Sequence, residues 1–90
     1  MSDTPQYRRN DEILFGQSGT DTFLMSAESG LYYALNETAS RLWQILDQPC
    51  GEDEIVAALV AEYRVDPARC RGEIGPFLSD LVERTILLVS

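Results

Sequence analysis

The segment Gly30-Leu-Tyr-Tyr-Ala-Leu-Asn-Glu-Thr-Ala-Ser-Arg-Leu-Trp43 constrains this chain most, because it joins a short aromatic strand to a capped helix with no spare residues between them. Leu31 to Leu35 is rich in aromatic and apolar side chains and follows the turn signal Glu28-Ser29-Gly30, so it reads as a strand. Asn36 stops it. Its side-chain carbonyl can accept from the free amides of the next turn, and Ala39, Leu42, Trp43 and Leu46 follow at helical spacing. The spacing predicts a helix over Glu37 to Asp47. A strand held that tightly can serve as a docking edge.

Before Gly30 the pattern is a β-meander. Glu12 to Gly16 centres on Ile13, Leu14 and Phe15, and Gln17 to Asp21 is turn chemistry. Thr22 to Ser26 is a second strand, with Phe23 and Met25 on one face and Thr22, Leu24 and Ser26 on the other. Ala27 to Gly30 link it to the strand at Leu31. Three antiparallel strands leave two edges, those of the first and the third.

After Trp43 the chain turns helical. Gln48-Pro49-Cys50-Gly51 breaks the first helix, and Glu52 to Tyr63 places Ile55, Val56, Leu59, Val60 and Tyr63 on one stripe. Asp66-Pro67 then opens a third helix, with Asp as cap and proline at the first helical position, where its missing N–H costs nothing. Its apolar side carries Cys70, Ile74, Phe77, Leu78 and Leu81. Pro76 cannot donate to the carbonyl of Gly72, a defect of about 3 kcal/mol or more in a regular helix. The expectation is a kink near Gly75, or two helices, Pro67 to Ile74 and Pro76 to Arg84. Thr85 to Val89 should pack against the meander as an extended tail.

Ninety residues fit one domain with little stability to spare. The polar start, with no basic n-region or apolar run, predicts disorder over residues 1–6 and a cytoplasmic location. No run approaches the ~20 apolar residues of a membrane span. Fifteen acidic residues against seven basic ones give a net charge of -8, and every basic residue is arginine. That balance opposes nucleic-acid binding, which replaces counterions with protein cations. Cys50 and Cys70, with no histidine in the chain, do not supply the four ligands of a zinc or iron–sulfur site; one disulfide between them is conceivable, and two reduced thiols is the favoured reading. Without histidine there is no Ser–His or Cys–His nucleophile, and there is no phosphate loop. The chain reads as a binding protein without metal or cofactor, not an enzyme.

The order, three strands and then three helices, predicts an α+β fold of winged-helix type: a three-stranded antiparallel meander followed by three helices packed on one face. Such folds commonly bind DNA, and the charge argues against that here.

Gly30 to Asp47, then Glu54-Ile55-Val56, Tyr63-Arg-Val-Asp-Pro67 and Phe77-Leu78 with Leu81, together resemble the PqqD-like proteins, over nearly the whole chain from about Tyr7 to Leu88. This family includes the pyrroloquinoline quinone biosynthesis protein D and the stand-alone recognition proteins of lasso-peptide pathways. The resemblance implies a RiPP recognition element, a peptide chaperone that binds the leader of a ribosomally made precursor peptide. It would present the peptide to a modifying enzyme such as a radical SAM enzyme, a leader peptidase or a cyclase. A lasso-type or other peptide pathway ranks above quinone cofactor synthesis. In the family the leader adds a strand to the third strand of the meander, in a cleft whose other wall is the third helix. Such docking takes register from main-chain hydrogen bonds and specificity from alternate side chains.

Carried over by position, the docking strand would be Leu31, Tyr32, Tyr33, Ala34 and Leu35. On the helical wall the candidates are Phe77 and Leu81 from the apolar stripe and Glu73, Asp80 and Arg84 along one border. The opposite border, Arg71 and Val82, is the alternative that spacing alone leaves open. A buried core is the commoner explanation of Phe77 and Leu81, and a solvated face explains the charges, with an i,i+4 pair between Asp80 and Arg84. Two other classes of function stand beside this one: a winged-helix DNA-binding regulator and an acidic interaction subunit of some other complex. Thr85 stands where many relatives have glycine.

Overall fold

Asn36 caps the helix as its position predicts: its Oδ1 accepts from the backbone N–H of Ala39 at 3.0 Å. In this computed structural model, which describes residues 5–89, the chain runs β1 (Gln6–Arg9), β2 (Ile13–Ser18), β3 (Asp21–Ser26), β4 (Tyr32–Leu35), α1 (Glu37–Ile45), β5 (Cys50–Gly51), α2 (Glu52–Tyr63), α3 (Pro67–Glu83) and β6 (Leu87–Val89). The architecture is α+β, and the meander is β2-β3-β4 with both pairings antiparallel. Its edges are β2 and β4. Ser40 ties the strand to the helix, since its buried hydroxyl donates to the carbonyl of Leu35 at 3.1 Å.

One side of the meander faces the helices. Thr22, Leu24 and Leu35 are at most 2% exposed, and the two leucines pack with Leu42, Trp43, Leu46, Ile55, Leu59, Leu78 and Leu81 in a single core. Apolar side chains from each helix stripe therefore share one dry interior, which is the main stabilisation of so short a chain.

Four expectations need correction. Gln6, placed in a disordered start, opens β1, while residues 1–4 lie outside the described residues. β1 is the centre of a second antiparallel sheet, β5-β1-β6. The tail therefore pairs with β1, Arg9 opposite Leu87 and Tyr7 opposite Val89, instead of lying on the meander. These pairings join residues 40 or more apart in sequence, so no local pattern announces them. α1 ends at Ile45, two residues short of Asp47.

Finally, α3 does not divide. It is one 17-residue helix with Pro76 inside it. Gly72, whose carbonyl loses its donor, is exposed to solvent, and it offers the proline ring no side chain to meet. Gly75 has a separate reason: a Cβ there would come within 3.3 Å of Glu52 Oε1, so glycine lets α3 close on the start of α2. On the preceding turn Arg71 reaches Glu52 at 3.1 Å and Asp53 at 2.7 Å. Its hydrogen bond to Asp53 pushes the guanidinium further above its usual range.

Candidate functional site

The register of the hairpin determines what β4 can offer. Ser26 N–H donates to Leu31 C=O at 2.9 Å, and residues then pair in order: Met25 with Tyr32, Leu24 with Tyr33, Phe23 with Ala34 and Thr22 with Leu35. Antiparallel strands alternate between pairs that exchange hydrogen bonds and pairs that do not. Counting from Ser26–Leu31, Leu24–Tyr33 and Thr22–Leu35 exchange them. The N–H and C=O groups of Tyr32 and Ala34 therefore point away from β3, and among the described residues no strand pairs with that edge. Leu31 lies just before the strand, in the turn that Gly30 closes with a φ of +71°.

The side chains divide between two faces. Tyr32 (66% exposed) and Ala34 point outward, while Tyr33 and Leu35 point toward the helices. Leu35 is core. Tyr33 is half-buried beneath Arg84, whose guanidinium carbon lies 5.4 Å from the ring centroid. Asp80 Oδ2 accepts from Arg84 Nε at 3.0 Å, which aims the cation at the ring and pushes its pKa further up.

This contact sets the rotation of α3. The border carrying Glu73, Phe77, Asp80 and Arg84 lies on the β4 side, whereas Arg71 on the other border is held by the start of α2. Glu73, Ile74 and Phe77 form one wall of a concavity whose other wall is Asn36, Thr38 and Ala39, directly after β4. Phe77 is half-buried there. Leu81, fully buried, sits in the core and presents no side chain to the groove.

Toward the start of α3 the concavity continues into a cavity of about 420 Å³, with Thr38, Glu73 and Ile74 common to both. Its other lining residues include Leu59, Tyr63, Val65 and Cys70. Burial pushes the Cys70 thiol up, and its side chain lines the cavity. Thr38, Tyr63 and Val65 did not stand out as site residues in the sequence. The available signal was Tyr63-Arg-Val65 itself, two large apolar residues at a helix end. The left-handed turn at Arg64 (φ 54°) leaves both of them exposed.

Five of the seven arginines are already engaged. Arg9, Arg41, Arg69, Arg71 and Arg84 each have a carboxylate at 3.5 Å or closer, so little positive charge is left to meet phosphates. Among the described residues there is no cluster of three potential metal ligands, and no helix is long and apolar enough to cross a membrane.

The chain as a whole is similar to two solved structures. TbiB1 in complex with the TbiA(beta) leader peptide superposes with a TM-score of 0.81 at 27% identity, covering 89% of this chain and 93% of that one. A lasso peptide synthetase B1 complexed with the leader peptide gives 0.77 at 26% identity, covering 91% and 96%. A search of curated protein sequences found no significant match. Residues 21–87, from the second strand of the meander into the last strand, match the family model for coenzyme PQQ synthesis protein D (PqqD). The chain belongs to the PqqD family.

Proposed function

We propose that this chain binds the leader region of a ribosomally synthesised precursor peptide by strand addition to β4. It then presents the peptide to a modifying enzyme or peptidase. The observation that carries this reading is the vacant edge: the outward N–H and C=O groups of Tyr32 and Ala34, alongside the groove walled by Glu73, Ile74 and Phe77. A guest strand would take two donors and two acceptors from those residues. Its inward side chains would lie over Tyr33 and toward Phe77, and its outward ones beside Tyr32 and Ala34. Leu31 would flank the strand's start, Asp80 and Arg84 would close the groove beside Tyr33, and Leu35 and Leu81 would support it from the core. The two similar structures hold leader peptides, which supports the same class of ligand here.

The proposed role is that of a non-catalytic partner, a single peptide-binding domain working in the cytoplasm. Acylation, cleavage or cyclisation would be done by the enzyme that receives the peptide. A lasso-type pathway is the reading that the synthetase B1 similarity favours.

The test is titration of the purified chain with the leader segment of a candidate precursor peptide sought in its gene neighbourhood. Ala34→Pro removes an outward donor without touching the pairing with β3, so affinity should fall by roughly tenfold or more with the melting temperature nearly unchanged. Equal affinity in the variant would reject β4 as the docking edge. Binding should also vary weakly with salt, unlike the steep loss expected of a DNA complex.

A further inference from the structure

The meander has a second open edge, at β2, which leader binding at β4 does not use. Ile13–Ser18 pairs only with β3 among the described residues. On one side of β3, Ser26, Leu24 and Thr22 exchange hydrogen bonds with β4. On its other side the exchanging pairs are therefore Leu14–Met25, Gly16–Phe23 and Ser18–Asp21. The N–H and C=O groups of Ile13, Phe15 and Gln17 point away from the sheet. The Asn10 carbonyl takes the N–H of Ile13 at 3.0 Å. Phe15 and Gln17 keep their outward donors and acceptors, with no strand among the described residues to receive them.

Natural proteins blunt such an edge with a charge, a proline or a bulge. The run Ile-Leu-Phe-Gly-Gln-Ser has no charge and no proline, and its register against β3 is unbroken. It carries instead two large apolar side chains in the open, Leu14 at 55% and Phe15 at 52% exposed. Phe15 lies on the helix side with Leu24, its cross-strand partner, and sets its ring edge-on to Trp43 at 5.5 Å under the Arg9 guanidinium. Those contacts cover only about half of it.

The edge is complementary to itself. An antiparallel second copy, on a two-fold axis through Gly16, pairs Phe15 with the partner's Gln17 and Gln17 with the partner's Phe15. Each pair exchanges both of its hydrogen bonds. The two Phe15 side chains then become diagonal neighbours on one face, a spacing that aromatic rings span, so each covers the exposed part of the other. Within one molecule a Cβ at Gly16 would meet nothing within 4 Å, and at the axis the glycine leaves the partner backbone unobstructed. We infer that β2 is a self-association edge, through which two copies join β2 to β2 in one six-stranded sheet with a free β4 at either end. The inference stands apart from what β4 binds. A six-residue edge buries well under the ~800 Å² per partner of a stable complex, so the dimer is transient, with a Kd on the order of 100 μM. Each copy carries a charge of -8, and the same register brings Asp11 beside the partner's Asp21, so salt strengthens the pairing by screening the repulsion.

The test is sedimentation equilibrium of the full chain over a concentration series reaching about 1 mM, at low and at high salt. The weight-average mass should rise toward that of a dimer, and at lower concentration when salt is added. Gln17→Pro removes an outward donor without touching the pairing with β3, and it should weaken self-association by roughly tenfold or more at an unchanged melting temperature. Gln17→Lys, an exposed change that keeps the main chain intact, sets a cation beside the partner's Phe15 and Arg9 and should weaken it about as much. A lysine also lowers the net charge of each copy, so any pairing limited only by overall repulsion would strengthen instead. A wild-type chain that stays monomeric throughout overturns the proposal. So does a dimer that survives in Gln17→Lys, and so does one that Ala34→Pro abolishes, which would assign the contact to β4. Affinity of both Gln17 variants for the candidate leader peptide should stay within about twofold of wild type, and a failure of wild type to bind that peptide bears on β4 alone.

Discussion

β1 and β4 are each four residues long, yet β1 has a strand on either side and β4 on only one. Composition suggests the reverse. Gln-Tyr-Arg-Arg is polar enough for an edge, and Tyr-Tyr-Ala-Leu is apolar enough for a sheet centre. What separates them is who their neighbours are. β1 is enclosed by segments distant in sequence, Cys50–Gly51 and Leu87–Val89, which meet only when the helices are in place. β4 is paired by the hairpin next to it, and the chain then turns at once into α1, so among the described residues no strand returns to cover its outer margin. One strand closes the fold, and the other leaves a place for a guest.

The sharpest way to break this comparison lies within β4. Tyr33 directs its N–H to Leu24, whereas Ala34 directs its own to the open margin. Tyr33→Pro should remove a ladder bond and cost about 3 kcal/mol or more, enough to unfold much of so small a domain, while Ala34→Pro should leave the melt nearly intact. Circular dichroism melts of both variants decide it. If the two proteins melt alike, the assigned alternation is wrong and β4 does not present the groups proposed for it.

The second experiment concerns β1. Arg9 donates from Nε to the Trp43 carbonyl at 2.9 Å, lies 4.9 Å above the Phe15 ring and 4.7 Å above that of Trp43, and approaches Asp47 at 3.5 Å. It is the clasp between β1, the meander and the end of α1. Arg9→Ala should lower the free energy of unfolding by about 2 kcal/mol, the sum of a charged hydrogen bond and a partly desolvated cation–π contact. Urea melts would measure that loss. Leader affinity below the transition should be unchanged, because Arg9 does not reach β4; a matching loss of affinity would mean the two sheets are not independent in function.

The contrast also separates what the sequence could reveal from what it could not. β2 to β4 and all three helices were legible because each signal is local: Gly19 and Gly30 in left-handed turns, Asn36 and Asp66 capping through side chains to Ala39 and Arg69, and apolar side chains at period 2 or 3.6. The sheet around β1 was not, since its pairings depend on the finished packing and its residues alternate weakly. At the site, spacing gave the strand and the two borders of α3, but the choice between borders needed contacts: Arg84 on Tyr33 for one, Arg71 on Glu52 and Asp53 for the other. Gly75-Pro76 misled for a related reason. A break signal in sequence was tolerated because the carbonyl that Pro76 leaves without a donor belongs to Gly72, which is exposed to solvent.

The smallest effect tests the join between α3 and β6. The helix ends with two bonds, Ile86 N–H to Leu81 C=O and Thr85 N–H to Val82 C=O, both 2.9 Å, the pattern that places the intervening residue in the left-handed region. That residue is Thr85, at φ 62°, where a β-branched side chain is strained and glycine is not. Asn10 holds it in place, donating from Nδ2 to the Thr85 carbonyl at 2.8 Å and from its backbone to Ile86. Because the bonds are all main-chain or to Asn10, Thr85→Gly should keep them, relieve the strain and raise stability by about 1 kcal/mol despite the greater freedom glycine gives the unfolded chain. The gain should appear in urea melts and leave leader affinity alone, since Thr85 serves the closed sheet and not the open edge. A loss of stability would mean that the threonine side chain makes a compensating contact at this corner. Asn10→Ala would then distinguish a fault in the turn from a fault in the side chain.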